Sequence, residues 1–323
     1  MSDSSITHRD VQNFYGNAAT KPKENLCCPT NYPTEDTTHI PQDVIDRFYG
    51  CGSPISLAGI KKGETVVDLG SGAGIDCFIA AKKVGRNGKV CGIDMTDEML
   101  KVANESKKVV AKNIGYDVVE FKKGILEELP INDNSVNLIT SNCVINLATN
   151  KVKVFEEMFR VLKDHGRILI SDIVSEVPLP REITDNKKLW GECIGGCLTE
   201  NQLISSLERA GLHGIEILEK TFWRTEKNIN FYSVSIRAHK FQKNSTCVFI
   251  GQKAIYNGPF KVIIDDEGHV FPKNVEVEVC TDTALKLINP PYSGSFTIIN
   301  PERDINELNS CSQNGIENKT ACC

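Results

Sequence analysis

The 323-residue chain reads as an α/β protein: a doubly wound, mostly parallel seven-stranded sheet followed by a small β-rich C-terminal extension. Three observations predict this. The run VVDLGSGAGIDCFIAA, residues 66–81, joins an apolar strand to a helix through three alternating glycines. Strand-like apolar runs then alternate with amphipathic helix-like runs, the pattern of a parallel sheet covered on both faces. After Lys240 the pattern changes to short apolar runs broken by Asn-Gly, Asp-Glu-Gly and Pro, which are hairpin signals.

Taken in order, residues 1–40 are polar and irregular, apart from a helical candidate at 8–16, and they carry Cys27 and Cys28 in ENLCCPTNYP. PQDVIDRFYG (41–50) reads as a helix leading into Gly50-Cys51-Gly52. ETVVDLG is a strand, and GIDCFIAAKKVG is a helix closed by Gly85. KVCGIDM is the second strand. TDEMLKVANESKKVVAKNIG follows as a helix with Thr96 as its N-cap. VVEFKKG is a short strand, and SVNLITSNCVINL is a strand running into a loop. KVKVFEEMFRVLKDHG is a helix ending at Gly166; Phe155, Met158, Phe159 and Leu162 recur at helical spacing and form its core face. RILISDIV is the fifth strand. Residues 178–198 interrupt the alternation. TENQLISSLERAGL is a helix capped by Thr199, and GIEILEKTFW and NINFYSVSIRAHK are the strand pair that finishes the sheet. From about residue 300 the chain is polar and expected to be flexible, and it ends in Cys322-Cys323.

The formal net charge of −5 argues against nucleic acid or an anionic membrane surface as the main partner. No run of about 18 apolar residues suggests a membrane span. The N-terminus shows no apolar segment of a secretory signal, so a cytoplasmic location is expected. The 13 cysteines are then read as metal-binding, catalytic or buried thiols rather than a disulfide framework. No paired CxxC spacing supports structural zinc, and the six histidines show no metal spacing.

The glycine stretch is the strongest functional signal. Without a Cβ, glycine lets the backbone turn tightly and approach a ligand, and the helix start adds unpaired N–H groups. Asp94, 20 residues after Gly74, falls at the tip of the second strand, where an acidic residue can hold a ribose diol. A nicotinamide fingerprint would place a third glycine at position 75, which is Ile75. The pattern resembles the nucleoside-binding motif of class I S-adenosylmethionine (SAM) methyltransferases, a Rossmann-like fold. That resemblance implies a methionine end near Asp68, Gly70, Ser71, Gly72 and Gly74. It implies a ribose at Asp94 with Met95 at its edge. It implies an adenine slot at Ile125, Leu126 and Glu127, although Leu126 reads equally well as core. Asn142 and Asn146 flank Cys143 and read either as orienting groups for SAM or substrate, or as loop caps. Trp190 either covers the site or packs.

Four cysteines stand in distinctive words: Cys51 in RFYGCG, Cys143 in TSNCVINLATN, Cys193 in LWGECIGG, and Cys28 beside Cys27 in LCCP. With DLGSGAGIDC, these resemble the arsenite SAM methyltransferases over residues 10–240, and the tail from about 245 resembles the extension of microbial members. The chemistry agrees: trivalent arsenic is soft and takes thiolates. The resemblance implies As(III) at Cys143 and Cys193, with Cys51 as candidate third ligand. It implies that Cys51 and Cys28 share in binding or in a disulfide relay, which needs readily exchanging thiols. The Cys-Pro step points to Cys28, though Cys27 can substitute. Cys77 and Cys91 read as small buried hydrophobes, and Cys197 as filler or a spare ligand. Cys247, Cys280 and Cys311 read as incidental, and Cys322 and Cys323 equally as thiol exchangers or as an unstructured end.

The organisation expected is a cysteine-bearing segment (1–52), a SAM-binding core (53–177) and an arsenic-site segment that ends the sheet (178–240). A small β-rich domain (241–300) and a tail (301–323) follow. The implied activity is arsenite methylation in arsenic detoxification, with arsenite or an arsenic–glutathione conjugate as substrate. Thioredoxin or glutathione is the implied reductant, and the chain is expected to be a monomer. The alternatives are a quinone-like or lipid-like acceptor with the same cofactor, and a non-catalytic arsenic-binding protein.

Overall fold

The computed structural model describes residues 6–20, 32–243 and 247–301. The chain divides at Lys240 into two compact units. Among the described residues no helix is long and apolar enough to cross a membrane.

The first unit opens with helix α1 (His8–Thr20) and the short turns α2 (Thr34–Thr37), α3 (Gln42–Ile45) and α4 (Pro54–Leu57). The wound core follows as β1 (Thr65–Leu69), α5 (Ile75–Val84), β2 (Lys89–Asp94), α6 (Asp97–Ile114), β3 (Val119–Lys123) and β4 (Val136–Asn142). A 3₁₀ turn (Ile145–Leu147), α7 (Lys151–Val161) and β5 (Leu162–Ser175) continue it. Then come α8 (Arg181–Thr184), α9 (Lys187–Gly191), β6 (Leu198–Thr199), α10 (Glu200–Arg209), β7 (Leu212–Glu226) and β8 (Ile229–Lys240).

The sheet runs β3-β2-β1-β4-β5-β8-β7, with β6 paired to β5 off this path. Strands β1 to β5 pair in parallel, and β8 and β7 close the sheet antiparallel. β1 and β2 are buried along nearly their whole length, as strands covered on both faces must be. One face packs Leu69, Ile139, Phe155 and Met158; the other packs Val66, Phe78, Ile79 and Leu138. The strand order reverses between β2 and β4 around β1. Ligand crevices in open α/β sheets form outside the carboxyl ends of strands at such a point.

Several expectations are corrected. The helix read over 41–50 shrinks to the single turn Gln42–Ile45. The helix read to Gly166 ends at Val161, and β5 takes over at Leu162, where tertiary pairing with β4 overrides helical spacing. Thr96 sits at the N-cap of α6 but its side chain makes no cap hydrogen bond; its N–H donates instead to Asp94 Oδ1 at 2.8 Å. Thr199 forms the full capping box with Gln202.

The second unit centres on β9 (Lys253–Tyr256), flanked antiparallel by β12 (Glu276–Glu278) and β13 (Phe296–Ile299). The hairpin of β10 (Val262–Ile264) and β11 (Val270–Pro272) turns at Asp265–Gly268. A helix the sequence reading missed, α11 (Thr281–Ile288), completes a core of Ala254, Tyr256, Phe271, Val279, Ala284 and Leu287. Its apolar run is too short for periodicity to separate helix from strand.

A nucleoside-sized cleft backed by buried thiols

The cleft opens at the carboxyl ends of β1 and β4. It holds about 980 Å³ of space free of protein atoms, including solvent at its mouth. Every residue predicted for the cofactor except Gly74 lines it: Asp68, Gly70, Ser71, Gly72, Asp94, Met95, Ile125, Leu126, Glu127 and Asn142. Gly74 itself does not line the cleft. It starts α5 at φ 94°, and a Cβ there would lie 2.6 Å from the Phe121 ring. Gly70 and Gly72 also hold positive φ, 64° and 52°. A Cβ on Gly70 would strike Val144, whereas one on Gly72 would enter open space.

These residues fit SAM on three observations. Gly72 lines the cleft and faces open space, so no protein atom crowds a ligand approaching its backbone. Ser71 Oγ is buried with no hydrogen-bond partner among the described residues. Asp94 accepts from the Gly72 and Thr96 N–H groups at 2.8 Å each, and its oxygens keep lone pairs for a diol. Burial raises the Asp94 carboxyl pKa. Asp68 is also raised by burial, then by the neighbouring Asp76, which burial holds at about 6. Glu127 receives N–H groups of Thr149 and Asn150 and meets His8 Nε2 at 3.0 Å, so it also ties α1 to the cleft rim.

Behind one wall of the cleft lies a cluster of thiols. Cys51 Sγ, Cys143 Sγ and a carboxylate oxygen of Asp172 lie within 4.8 Å of one another. Cys193 Sγ donates to the Cys143 carbonyl at 3.0 Å and contacts Tyr15 Oη at 3.6 Å. All four residues are buried. Cys143 and Cys193 both sit in the left-handed region, φ 60° and 61°. Non-glycine residues there cost roughly 1–3 kcal/mol, a strain that concentrates at functional sites. Cys143 also lines the cleft, so it belongs to both the cleft wall and the thiol cluster.

The supports of this cluster come from remote segments. Asn142 Oδ1 accepts from the N–H groups of Cys51 and Gly52, and its Nδ2 donates to the Gly52 carbonyl and to Asp76. Gly50 and Gly52 admit this approach, since a Cβ on either would overlap Asn142 or Ser171 at 2.4–2.6 Å. Asn146 Nδ2 donates to Asp172, Ile173 O and Cys193 O. Both asparagines therefore pin loops. Trp190 packs, donating to Leu147 O at 3.2 Å under Lys151 Nζ.

Asp172 is a residue the sequence reading missed. It accepts from Ile145 N, Asn146 N, Asn146 Nδ2 and Ile173 N. Burial, then Cys193, pushes it up to about 8. Its only sequence signal was an acidic residue inside the apolar strand ILISDIV. Burial also raises Cys51, which the Cys143 contact opposes. Cys197 donates to Cys193 O at 2.9 Å from a non-helical loop. Cys77 and Cys91 are buried as expected. Cys27, Cys28, Cys311, Cys322 and Cys323 lie outside the described residues.

Comparisons with known proteins bear on the family and the fold. Residues 60–211 match a family described as a methyltransferase domain, and residues 243–321 match a domain of unknown function. An arsenite methyltransferase of Mus musculus is 30% identical over 319 residues, covering 91% of this chain and 84% of that protein. One from Halobacterium salinarum is 41% identical over 211 residues, which span 63% of this chain and 53% of that protein. The crystal structure of an arsenic (III) S-adenosylmethionine methyltransferase from Chlamydomonas reinhardtii superposes with a TM-score of 0.63 at 30% identity, covering 84% of this chain and 97% of that one. With its wound sheet, its glycine-lined cleft and its thiols at one shared wall, the chain belongs to the arsenite methyltransferase family.

Proposed function

We propose that Cys143, Cys193 and Cys51 hold trivalent arsenic against the cleft in which SAM binds, and that the chain methylates arsenite there. The observation that carries this reading is the double membership of Cys143, which lines the cleft and belongs to the thiol cluster. A quinone-like or lipid-like acceptor would have no use for soft sulfur donors at that wall.

Asp68, Gly70, Ser71 and Gly72 would hold the methionine end of SAM, Asp94 and Met95 the ribose, and Ile125, Leu126 and Glu127 the adenine. When bound, SAM supplies the electrophilic methyl group that the arsenic lone pair takes up. Arsenite, or an arsenic–glutathione conjugate, exchanges its oxygens or thiolates for the three cysteine sulfurs. From arsenite, each thiol proton leaves with a hydroxide as water. Three As–S bonds leave the lone pair directed outward. The protein's share of the rate comes from holding that pair in line, where orientation yields its large factors. Positive charge passes to arsenic as the new bond forms. The Asp172 carboxyl stands beside the sulfurs to face it, and an opposite charge at that range favours its ionised form. Return of arsenic to the trivalent state takes two electrons from a pair of thiolates, which close to a disulfide. Thioredoxin or glutathione then reopens it, with Cys28 or Cys27 as the exchanging thiol. The working species is a monomer.

The test is product analysis by mass spectrometry with arsenite, SAM and reductant. The Cys143→Ser and Cys193→Ser enzymes should make almost no methylarsenical while still binding SAM by calorimetry. Wild-type rates from both variants would sink the assignment.

A further inference from the structure

The second unit brings together two cysteines that the sequence reading set aside. Cys280 is the N-cap of α11. Its Sγ accepts from Thr283 N at 3.4 Å and meets Thr283 Oγ1 at 3.2 Å. N-cap positions usually carry Ser, Thr, Asp or Asn, whose oxygen satisfies an orphan helix N–H. A sulfur in that place is an acceptor under the positive end of the helix, the setting that favours thiolate.

A second thiol stands against it. Cys247 is one of the neighbouring side chains that lower the Cys280 thiol pKa. The backbone fixes this neighbourhood: Thr281 N donates to Val248 O at 3.0 Å, and Val248 N donates to Thr281 Oγ1 at 3.2 Å. Burial raises the Cys280 thiol pKa, but Thr283, Cys247 and the amide of Asp282 outweigh it, and the net shift is downward. Cys280 is buried and Cys247 is half-buried, so a ligand reaches Cys247 first. The described part of this unit contains no third cysteine.

We infer that Cys247 and Cys280 form a dithiol site for trivalent organoarsenicals with two exchangeable positions, monomethylarsonous acid above all. Two As–O bonds break, two As–S bonds form, and two waters leave carrying the thiol protons. Arsenic stays trivalent, so no oxidant or reductant is consumed. The two sulfurs match the two open valences, and the methyl group fills the third. Inorganic arsenite would keep one hydroxide, and a dimethylated species could take only one of the sulfurs. The inference rests on the arsenic chemistry of the reading above. Its readout is independent of Cys143 and Cys193, so either claim can fail alone.

The experiment uses the full chain under a phosphine reductant, with iodoacetamide alkylation of Cys247 followed by peptide mass spectrometry. Monomethylarsonous acid should slow that alkylation roughly tenfold or more, because the second sulfur acts at high effective concentration. Cys280→Ser keeps an N-cap oxygen, so α11 should persist by circular dichroism, and the protection should vanish. Dimethylarsinous acid should protect far less than the monomethyl compound. Equal alkylation rates with and without monomethylarsonous acid would overturn the proposal. So would protection that survives in Cys280→Ser.

Discussion

The cleft draws Asp68, Gly70, Ser71 and Gly72 from one short stretch, and a single strand-turn-helix folds them into place. The thiol pocket draws Cys51, Cys143, Asp172 and Cys193 from four separate segments. Its geometry exists only once β4, β5 and the loop after α9 have docked. The difference teaches how each half should respond to damage. The glycine loop is sensitive to local backbone chemistry. The pocket is sensitive to anything that loosens Asn142 or Asn146, the side chains that hold its loops.

The largest effect separates the halves outright. On the arsenic site proposed above, Cys143→Ser or Cys193→Ser should lower methylation of arsenite roughly a hundredfold or more, because orientation of the attacking lone pair is lost. SAM affinity, measured by calorimetry, should stay within about threefold, well under 1 kcal/mol. Loss of SAM binding in these variants would break the comparison. Gly70→Ala tests the other half. Its φ of 64° and the overlap with Val144 should weaken SAM binding by about 1–3 kcal/mol, while arsenite affinity, measured separately by calorimetry, should change little.

Asn142→Ala lies between the two. It leaves the Cys51 and Gly52 N–H groups without their acceptor, at a cost of about 1–3 kcal/mol. Arsenite affinity should fall more than SAM affinity does, and equal losses would place Asn142 with the cleft. Asp172→Asn sharpens the electrostatics. Burial holds Asp172 at about 8 against 3.8 for a free side chain, so the folded chain keeps a proton that the unfolded chain has lost. Stability should therefore fall as pH rises from about 4 to about 8, and the asparagine variant should flatten that slope in thermal melts. The smallest effect is a control outside both halves. Thr199→Ala breaks the α10 capping box and should cost about 1 kcal/mol in urea unfolding, with methylation unchanged.

Much of this protein was legible in its residues because the information was local. The apolar runs of β1 and β2, the glycines at 70, 72 and 74, and Asp94 at a strand tip each state their geometry within about 30 residues, the span of one βαβ unit. The capping box at Thr199 is local in the same way. The words around Cys51, Cys143 and Cys193 marked candidate thiols but carried no distances. The single turn at Gln42–Ile45 and the early start of β5 went unread because sheet pairing and packing override short-range propensity. α11 went unread because eight residues hold too few turns for a period to emerge.

The chain alone indicated the wound sheet and the glycine turn after β1, since periodicity and the absence of a Cβ act over neighbouring residues, while the words around the cysteines marked them only as candidates. The fold alone decided that Cys51 meets Cys143, that Asp172 joins them, and that Cys247 meets Cys280. Those meetings depend on strand order and on hydrogen bonds between segments far apart in sequence. A contact of that kind becomes readable only after loop closure and burial have chosen one arrangement among the many that the same local signals allow.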